Sequence, residues 1–387
     1  MRPLEGVRVV ELAHVAAGPF TGMLLADLGA DVVKVEPPGG DQMRAWPPFA
    51  TEDDGRGGEE RFSHNFASVN RNKRSVVADL KDPADLARVR ELVAAADVVV
   101  ENYRPGVLDR LGLGYDTVRE GHRGLVYCSI SGYGLTSPYV DHGAYDVVIQ
   151  GMSGLMSVTG EVDGDPVKAG VPVGDFTAGL YAAYTIAAVL PQVRDSGTST
   201  RLDCPMLDCL LGVSALQTSE YWGSGVEPRR LGTAHPRNAP YQGFAAADAA
   251  FTVAAGNDRL WAAVAEVVGL PGLVEDPRFL HQVDRVRHQH DLEALLQARF
   301  AEEKRDHWIT ALRARGVPCG PVNAFGEILA DPHVEATGLV GTVDVPVAGP
   351  TPTVVFPVRV EGLTPRLDRG APRLDADVDV YDEWSAR

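Results

Sequence analysis

Residues 7–36 constrain this chain more than any other stretch. Val7–Leu12 is a short apolar run rich in valine, Gly18-Pro19 opens a helical pattern that closes at Gly29, and Asp31–Glu36 reads Asp-Val-Val-Lys-Val-Glu. Strand, helix and strand in that order make a βαβ unit, which commits the chain to a parallel sheet. Ligands of such sheets gather beyond the carboxyl ends of the strands. The first turn, His14-Val15-Ala16-Ala17-Gly18-Pro19, therefore faces a candidate site. It lacks the G-x-G-x-x-G spacing of dinucleotide binders, which argues against a nicotinamide cofactor.

Residues 37–72 read as one long polar loop carrying Gly39-Gly40-Asp41 and Asp53-Asp54-Gly55; loops of that length are functional or mobile. Arg71-Asn72-Lys73-Arg74 precedes a strand at Ser75–Leu80 and is either solvated surface or a collector of phosphates. Asp82-Pro83 starts a helix over 83–96 as cap and first-turn proline. Asp97–Glu101 is a strand that leads into Asn102-Tyr103-Arg104-Pro105-Gly106-Val107, a loop with the composition of a ligand contact, where Arg104 and Arg110 could both face an anion. Further strands lie at Gly124–Ser131 and Thr200–Cys204, and a helix at Pro205–Tyr221. His142, in a polar stretch, reads as a solvated loop residue.

Two domains fit a chain of 387 residues. Residues 223–240 read as a linker between a large α/β domain at 1–222 and a smaller α+β domain at 241–330. The smaller one holds a strand at Ala250–Ala255 and helices at Asp258–Val268, Val286–Phe300 and Arg305–Arg315. Residues 331–387, with strands at 341–346 and 353–360, return to the large domain.

A formal net charge of -17 argues against non-specific nucleic-acid binding, without excluding anionic ligands that respond to local arginines. The longest apolar stretches, near 180–190 and 205–216, fall short of the roughly 20 residues that span a bilayer. With no leader pattern, the expectation is a cytoplasmic protein that does not engage membranes. The cysteines Cys128, Cys204, Cys209 and Cys319 lack zinc spacing, so no metal site is expected and the thiols read as buried and reduced.

Residues 168–180, Lys-Ala-Gly-Val-Pro-Val-Gly-Asp-Phe-Thr-Ala-Gly-Leu, carry the chemistry. Asp175 follows Gly174 directly and precedes the apolar run Leu180–Leu190, so it sits near the start of a buried helix. Two readings are open. Asp175 is an N-cap, accepting from the free N–H groups of the first turn, or a nucleophile held in a water-poor pocket.

Several stretches together resemble the family III CoA-transferases, whose fold the α-methylacyl-CoA racemases share. They are His14–Pro19, Gly29–Glu36, Asn72–Ser75, Glu101–Val107, Ala144-Tyr145-Asp146 with Gln150–Gly154, and Gly174-Asp175. Their order and spacing cover most of the chain. The resemblance implies a Rossmann-like parallel sheet, a smaller second domain and a homodimer of interlocked rings. It implies CoA and acyl-CoA as substrates rather than a permanently bound cofactor, a small carboxylic acid as second substrate, and Asp175 as nucleophile. His14, Val15 and Ala16 would meet CoA, as would Ala78 and Lys81, then Asn102, Tyr103, Arg104 and Arg110, and Tyr145. Pro37 stands where some members carry an arginine; Arg44, Arg71 or Arg104 would then supply the missing phosphate contact. The Gly174 turn would provide N–H donors to an oxyanion.

Racemases of this fold place a His where this chain has Tyr145, and tyrosine, with a reference pKa near 10, is a poor exchanger of α-protons at neutral pH. His142 is close but out of register. Transfer is therefore the first reading; a racemase and a non-catalytic CoA binder are the alternatives. The stretch His235–Gln242 resembles members that use succinate or branched dicarboxylates.

Overall fold

A computed structural model describes residues 2–53, 58–363 and 366–385. In chain order the first elements are β1 (Arg8–Leu12), α1 (Ala17–Asp27), β2 (Asp31–Glu36), β3 (Phe49–Asp53), β4 (Glu59–Ser63), α2 (His64–Asn70), β5 (Lys73–Val77), α3 (Pro83–Ala94) and β6 (Val98–Glu101). Then follow α4 (Val107–Arg110), α5 (Tyr115–Val118), β7 (Val126–Ser131), α6 (Asp146–Met152), α7 (Val173–Ser196), β8 (Thr200–Pro205), α8 (Met206–Val213) and α9 (Ala215–Ser224).

The sheet order is β5-β2-β1-β6-β7-β8, and every neighbour pair is parallel. Valines on alternate positions feed opposite faces. Val9, Val32, Val98 and Val126 pack with α1, α7 and α8, while Val10, Val33, Val99 and Val76 pack with α3 and the C-terminal segment. Strands buried on both faces explain the near-continuous valine runs. This order reverses between β1 and β6, and crevices at such reversals are where α/β sheets bind ligands.

The chain falls into two compact units. The first runs to Leu155 and adds Lys168–Gly225 and the chain from His333 on; the second is Met156–Val167 with Val226–Pro332. The segment 156–167, which the sequence placed in the large domain, groups with the second unit. There Gly232 N–H donates to the Gly160 carbonyl at 3.0 Å and Val167 N–H to that of Thr159 at 3.2 Å. This unit contains β9 (Tyr241–Ala245), β10 (Ala250–Ala254), α10 (Asp258–Val267), α11 (Gln282–Arg287), α12 (Gln289–Phe300), α13 (Arg305–Ala314), β11 (Cys319–Pro321) and α14 (Phe325–Leu329). Its sheet is antiparallel, ordered β11-β10-β9. α15 (Pro332–Thr337), the hairpin β12 (Val340–Val345) and β13 (Gly349–Val354), and α16 (Val380–Ser385) complete the chain.

Several expected elements differ. Residues 37–72 are not one loop. Asp41 caps a short 3-10 turn at Gln42–Ala45, β3 and β4 pair antiparallel, and Ser63 caps α2 by accepting from Phe66 N–H at 3.2 Å. Charged residues between Phe49, Phe62 and Phe66 hide that pattern in sequence. Asp54 and Gly55 lie outside the described residues. The helix expected at Pro205–Tyr221 breaks at Ser214, whose hydroxyl donates back to the Leu210 carbonyl at 2.9 Å. The helix expected at Val286–Phe300 is divided at His288, and fully buried Arg285 ties α11 to Ala239 and Asp258. The last strand ends at Val354 rather than running over 353–360, because the hairpin turns early and Val345 pairs with Gly349.

α7, at 24 residues, is longer than the run Leu180–Leu190 suggests, and is long and apolar enough to cross a membrane. It packs on α1, α8 and the sheet, and a left-handed Gly197 (φ 65°) ends it. It is not wholly buried: Leu180 is 55% and Tyr184 71% exposed.

Candidate active site

Asp175 lies in the first turn of α7, two residues after its start at Val173, and is half-buried. Pro172 occupies the cap position and no side chain caps this helix, so the N-cap reading of Asp175 falls away. Burial raises the Asp175 carboxyl from its ordinary 3.8 to about 7, and the nearby charge of Asp146 adds to the rise. A carboxylate raised this way is a stronger base and nucleophile than a surface aspartate.

Asp146 shapes that turn. Its Oδ1 accepts the Gly174 N–H at 2.8 Å, and its Oδ2 accepts from Gln150 Nε2 at 2.7 Å. Gln150 is fully buried, and its Oε1 accepts the Ala169 N–H at 2.8 Å. A Cβ on Gly174 would lie 3.0 Å from Asp146 Oδ1, so the glycine is needed for this close approach. Of the N–H donors expected from this turn, the Gly174 amide is therefore committed to Asp146. The i, i+4 spacing of Asp146 and Gln150 signals their mutual bond, though not the one to Gly174.

Asn102, after β6, brackets His14 after β1. It accepts His14 N–H at 2.9 Å and donates to the His14 carbonyl at 2.8 Å. The His14 and Tyr103 rings meet edge to face at 5.6 Å. Burial holds His14 below the usual histidine range, Asp41 opposes this and Lys34 adds to it. Val15 has φ 63°, which turns the chain toward Ala16 and α1. Phe20 of α1 then stacks on Phe176 at 4.6 Å, and Val15, Phe20 and Phe176 share one apolar cluster. The turn after β1 and the turn bearing Asp175 are thereby joined.

Buried Ala78 follows β5 and donates its N–H to the Glu36 carbonyl at 2.9 Å, and Lys81 beyond it is exposed. Arg104 and Arg110 are exposed in and beyond the loop after β6. A Cβ on Gly143 would lie 3.6 Å from Arg104 Nη2, which places that guanidinium against the loop leading to Tyr145. Tyr145, 71% exposed, starts α6 directly before Asp146. His142 packs against the Tyr139 ring at 5.3 Å and that of Tyr133 at 6.2 Å.

The basic run at 71–74 is neither open surface nor a phosphate collector. Arg71 and Asn72 hold buried Asp27, Lys73 pairs with Glu11, and Arg74 pairs with Asp31 and Glu383. Arg44 forks onto Glu36 at 2.7 Å through both nitrogens. Of the three arginines weighed against Pro37, Arg44 and Arg71 are thus committed to carboxylates. Sequence reasoning also missed Glu101, a buried carboxyl at the end of β6. Burial pushes it up to about 7, against Ser129 and the Tyr103 N–H that it accepts at 2.9 Å.

A cavity of about 680 Å³ elsewhere in this unit is lined by Glu52, Asp344, Arg369 and Arg373 and does not include Asp175. Cys128, Cys204 and Cys209 are buried free thiols and Cys319 is half-buried.

The chain is similar to known proteins over most of its length. The chain is 41% identical over 374 residues to the succinate–glutarate CoA-transferase of Agrobacterium fabrum, covering 96% of this chain and 93% of that protein. It is 40% identical to the succinyl-CoA:glutarate CoA-transferase of Homo sapiens, covering 90% of this chain and 78% of that one. A CaiB/BaiF family protein from Brucella suis superposes with a TM-score of 0.88 at 40% identity, covering 99% of both chains. With the model of CoA-transferase family III matching residues 4–378, the chain belongs to that family.

Proposed function

We propose that this enzyme moves CoA from an acyl-CoA to a free carboxylic acid through covalent intermediates on Asp175. The observation that carries the reading is the uncapped, partly desolvated Asp175 carboxyl in the first turn of α7. Its carboxylate attacks the thioester carbonyl, the C–S bond breaks, and a mixed anhydride and CoA thiolate result. The thiolate attacks the Asp175 carbonyl, releasing the donor acid and leaving an aspartyl-CoA thioester. The acceptor carboxylate attacks that thioester and expels the thiolate, which then takes the acyl group from the new anhydride. Water must stay out, because each intermediate is hydrolysable.

His14, Val15, Ala16 and Asn102 form the wall against the thioester end of CoA, with Tyr103, Ala78 and Tyr145 beside them. Arg104, Arg110 and Lys81 meet its phosphates, since exposed guanidinium and ammonium groups suit phosphate oxygens. Succinyl and glutaryl groups are the acyl class favoured by the names of the similar transferases. The working form is a homodimer, with exposed Leu180 and Tyr184 on α7 and Leu216 and Trp222 on α9 as apolar side chains that a second copy covers. Leu216→Glu is expected to turn a dimer into a monomer by light scattering; an unchanged mass removes Leu216 from the interface.

The chemistry is tested by incubating the protein with succinyl-CoA, trapping with hydroxylamine or borohydride, and mapping the product by mass spectrometry. Modification of Asp175 is the expected result. Deuterium entering the α-carbon of a branched acyl-CoA without any adduct would favour racemisation, and neither signal would leave a CoA binder.

A further inference from the structure

Glu11, Lys34, Asp41 and Lys73 lie together beneath the turn that joins β1 to α1. Lys34 Nζ meets Asp41 Oδ2 at 2.8 Å and Glu11 Oε1 at 3.0 Å, and Lys73 Nζ meets Glu11 Oε2 at 2.8 Å, with every side chain at most 1% exposed. Ion pairs this deep are a poor source of stability, because desolvation offsets their attraction. Their remaining bonds are more informative. Lys34 Nζ donates to the Ala13 carbonyl at 2.7 Å, Lys73 Nζ donates to that of Pro19 at 2.7 Å, and Val15 N–H donates to both Asp41 oxygens at 3.2 Å. The network thus grips the turn at both ends and in the middle. A Cβ on Gly22 would run into the Glu11 carboxylate, so α1 sits directly on the network.

The middle of the turn is where support is needed. Val15 at φ 63° is a β-branched residue in left-handed backbone, a conformation that persists only where its surroundings enforce it. Its neighbour His14 is pinned by Asn102 through both backbone groups. Asp41 is pinned as well: its own N–H donates to Glu36 Oε2 at 2.9 Å, and its Oδ1 accepts Met43 N–H at 2.9 Å.

We propose that Asp41 is a positioning residue for acyl-CoA: its carboxylate, fixed by Lys34, holds Val15 left-handed and so aims Ala16 and the start of α1 at the substrate. This deepens the reading of the 14–16 turn as a CoA contact and rests on it. Asp41 is buried and acts through Val15, not by touching CoA.

The test couples Asp41→Ser with Val15→Gly. Serine keeps a cap for the 3-10 turn but carries no charge and is too short to span to Val15. Glycine takes positive φ without support. CoA binding is read by calorimetry, and turnover with succinyl-CoA and glutarate. With Val15 present, D41S is expected to raise the CoA Kd and the succinyl-CoA KM about tenfold, with kcat within about threefold. In the V15G background the same substitution should change Kd less than about threefold relative to V15G alone. An equal loss with and without V15G, or no loss at all, overturns the positioning role. Should D41S fail to fold, Asp41→Asn replaces it. It is expected to weaken CoA binding about threefold with Val15 and leave it unchanged alongside V15G, and equal effects again overturn the role. A wild-type protein that binds no CoA overturns the functional reading itself. One that binds CoA while the two substitutions act independently overturns only this inference.

Discussion

Asp146 Oδ1 accepts the Gly174 N–H at 2.8 Å, so a second carboxylate is anchored to the backbone immediately before Asp175. That one bond ties α6 to α7, fixes the turn that carries the proposed nucleophile, and sets a like charge beside it. The same neighbour thus sets the geometry at Asp175 and adds to the rise in basicity that burial begins.

Asp146→Asn removes the negative charge and keeps an amide oxygen for the Gly174 N–H, at the cost of the contact with Gln150 Nε2, a donor that its NH2 would then face. Asp175 stands at about 7, first through burial and then through Asp146, so the wild-type kcat/KM should rise with pH through about 7 as the carboxylate forms. In D146N that acid limb should move to lower pH, while D146A, which also loses the bond, should lower kcat by about tenfold or more. A pH–rate profile whose acid limb is identical in all three proteins would remove Asp146 from the chemistry.

Asp175→Asn should abolish transfer while leaving the CoA Kd within about threefold. It should also change stability in a pH-dependent way. The folded-state pKa lies above the ordinary 3.8, so ionisation costs nothing below that value, the cost grows as pH rises, and it is complete above about 7. The variant should therefore be more stable than wild type at pH 8, by about 2 kcal/mol once partial exposure is discounted, and the difference should vanish at pH 4. Thermal melts at the two pH values read this directly. Equal melting at pH 8 would mean that Asp175 is not held against its own ionisation.

Much of the sheet was legible because its strands are buried on both faces and leave unbroken valine runs, as in Asp31–Glu36, which the fold reproduces residue for residue. What stayed hidden was whatever depended on distant partners. Arg71 and Lys73 look like surface cations until Asp27 and Glu11 are seen to face them from α1 and β1. Asp41 gives no local sign of reaching Val15, and Asp146 none of meeting Gly174 across two elements. Asp175 could be singled out from its glycine-led turn, yet setting the cap reading aside needed Pro172 in the cap position. The hairpin β3–β4 escaped because acidic residues on its exposed face mask its alternation.

The α1–α7 crossing beneath the site leaves no room for a side chain at Gly179. A Cβ there would lie 2.9 Å from Phe20 Cδ1 and 3.0 Å from the Ala17 carbonyl oxygen. Alanine gains about 1 kcal/mol of helix propensity over glycine, whereas overpacking against backbone costs about 1–3 kcal/mol. G179A should therefore be destabilised by about 1 kcal/mol and should raise the succinyl-CoA KM, because Phe20 carries the contact to Phe176. Urea unfolding and steady-state kinetics measure the two effects. A variant more stable than wild type would show that the helices separate without cost.

Arg104 and Arg71 offer opposite expectations from the same residue type. Arg71 donates to buried Asp27 at 3.0 and 2.5 Å, so Arg71→Ala strands a carboxylate in the interior and should cost about 3–5 kcal/mol of stability. Arg104 is exposed beside the loop leading to Tyr145, so Arg104→Ala should leave the melting temperature within about 1 °C. Its effect should fall on the ligand, with CoA binding weakened about tenfold and the salt dependence of binding reduced. Calorimetric titration of CoA at two ionic strengths, beside thermal melts of both variants, checks the contrast. If R104A binds CoA as tightly as wild type at low salt, the phosphate contact in place of the family arginine lies elsewhere, and Arg110 and Lys81 become the residues to substitute next.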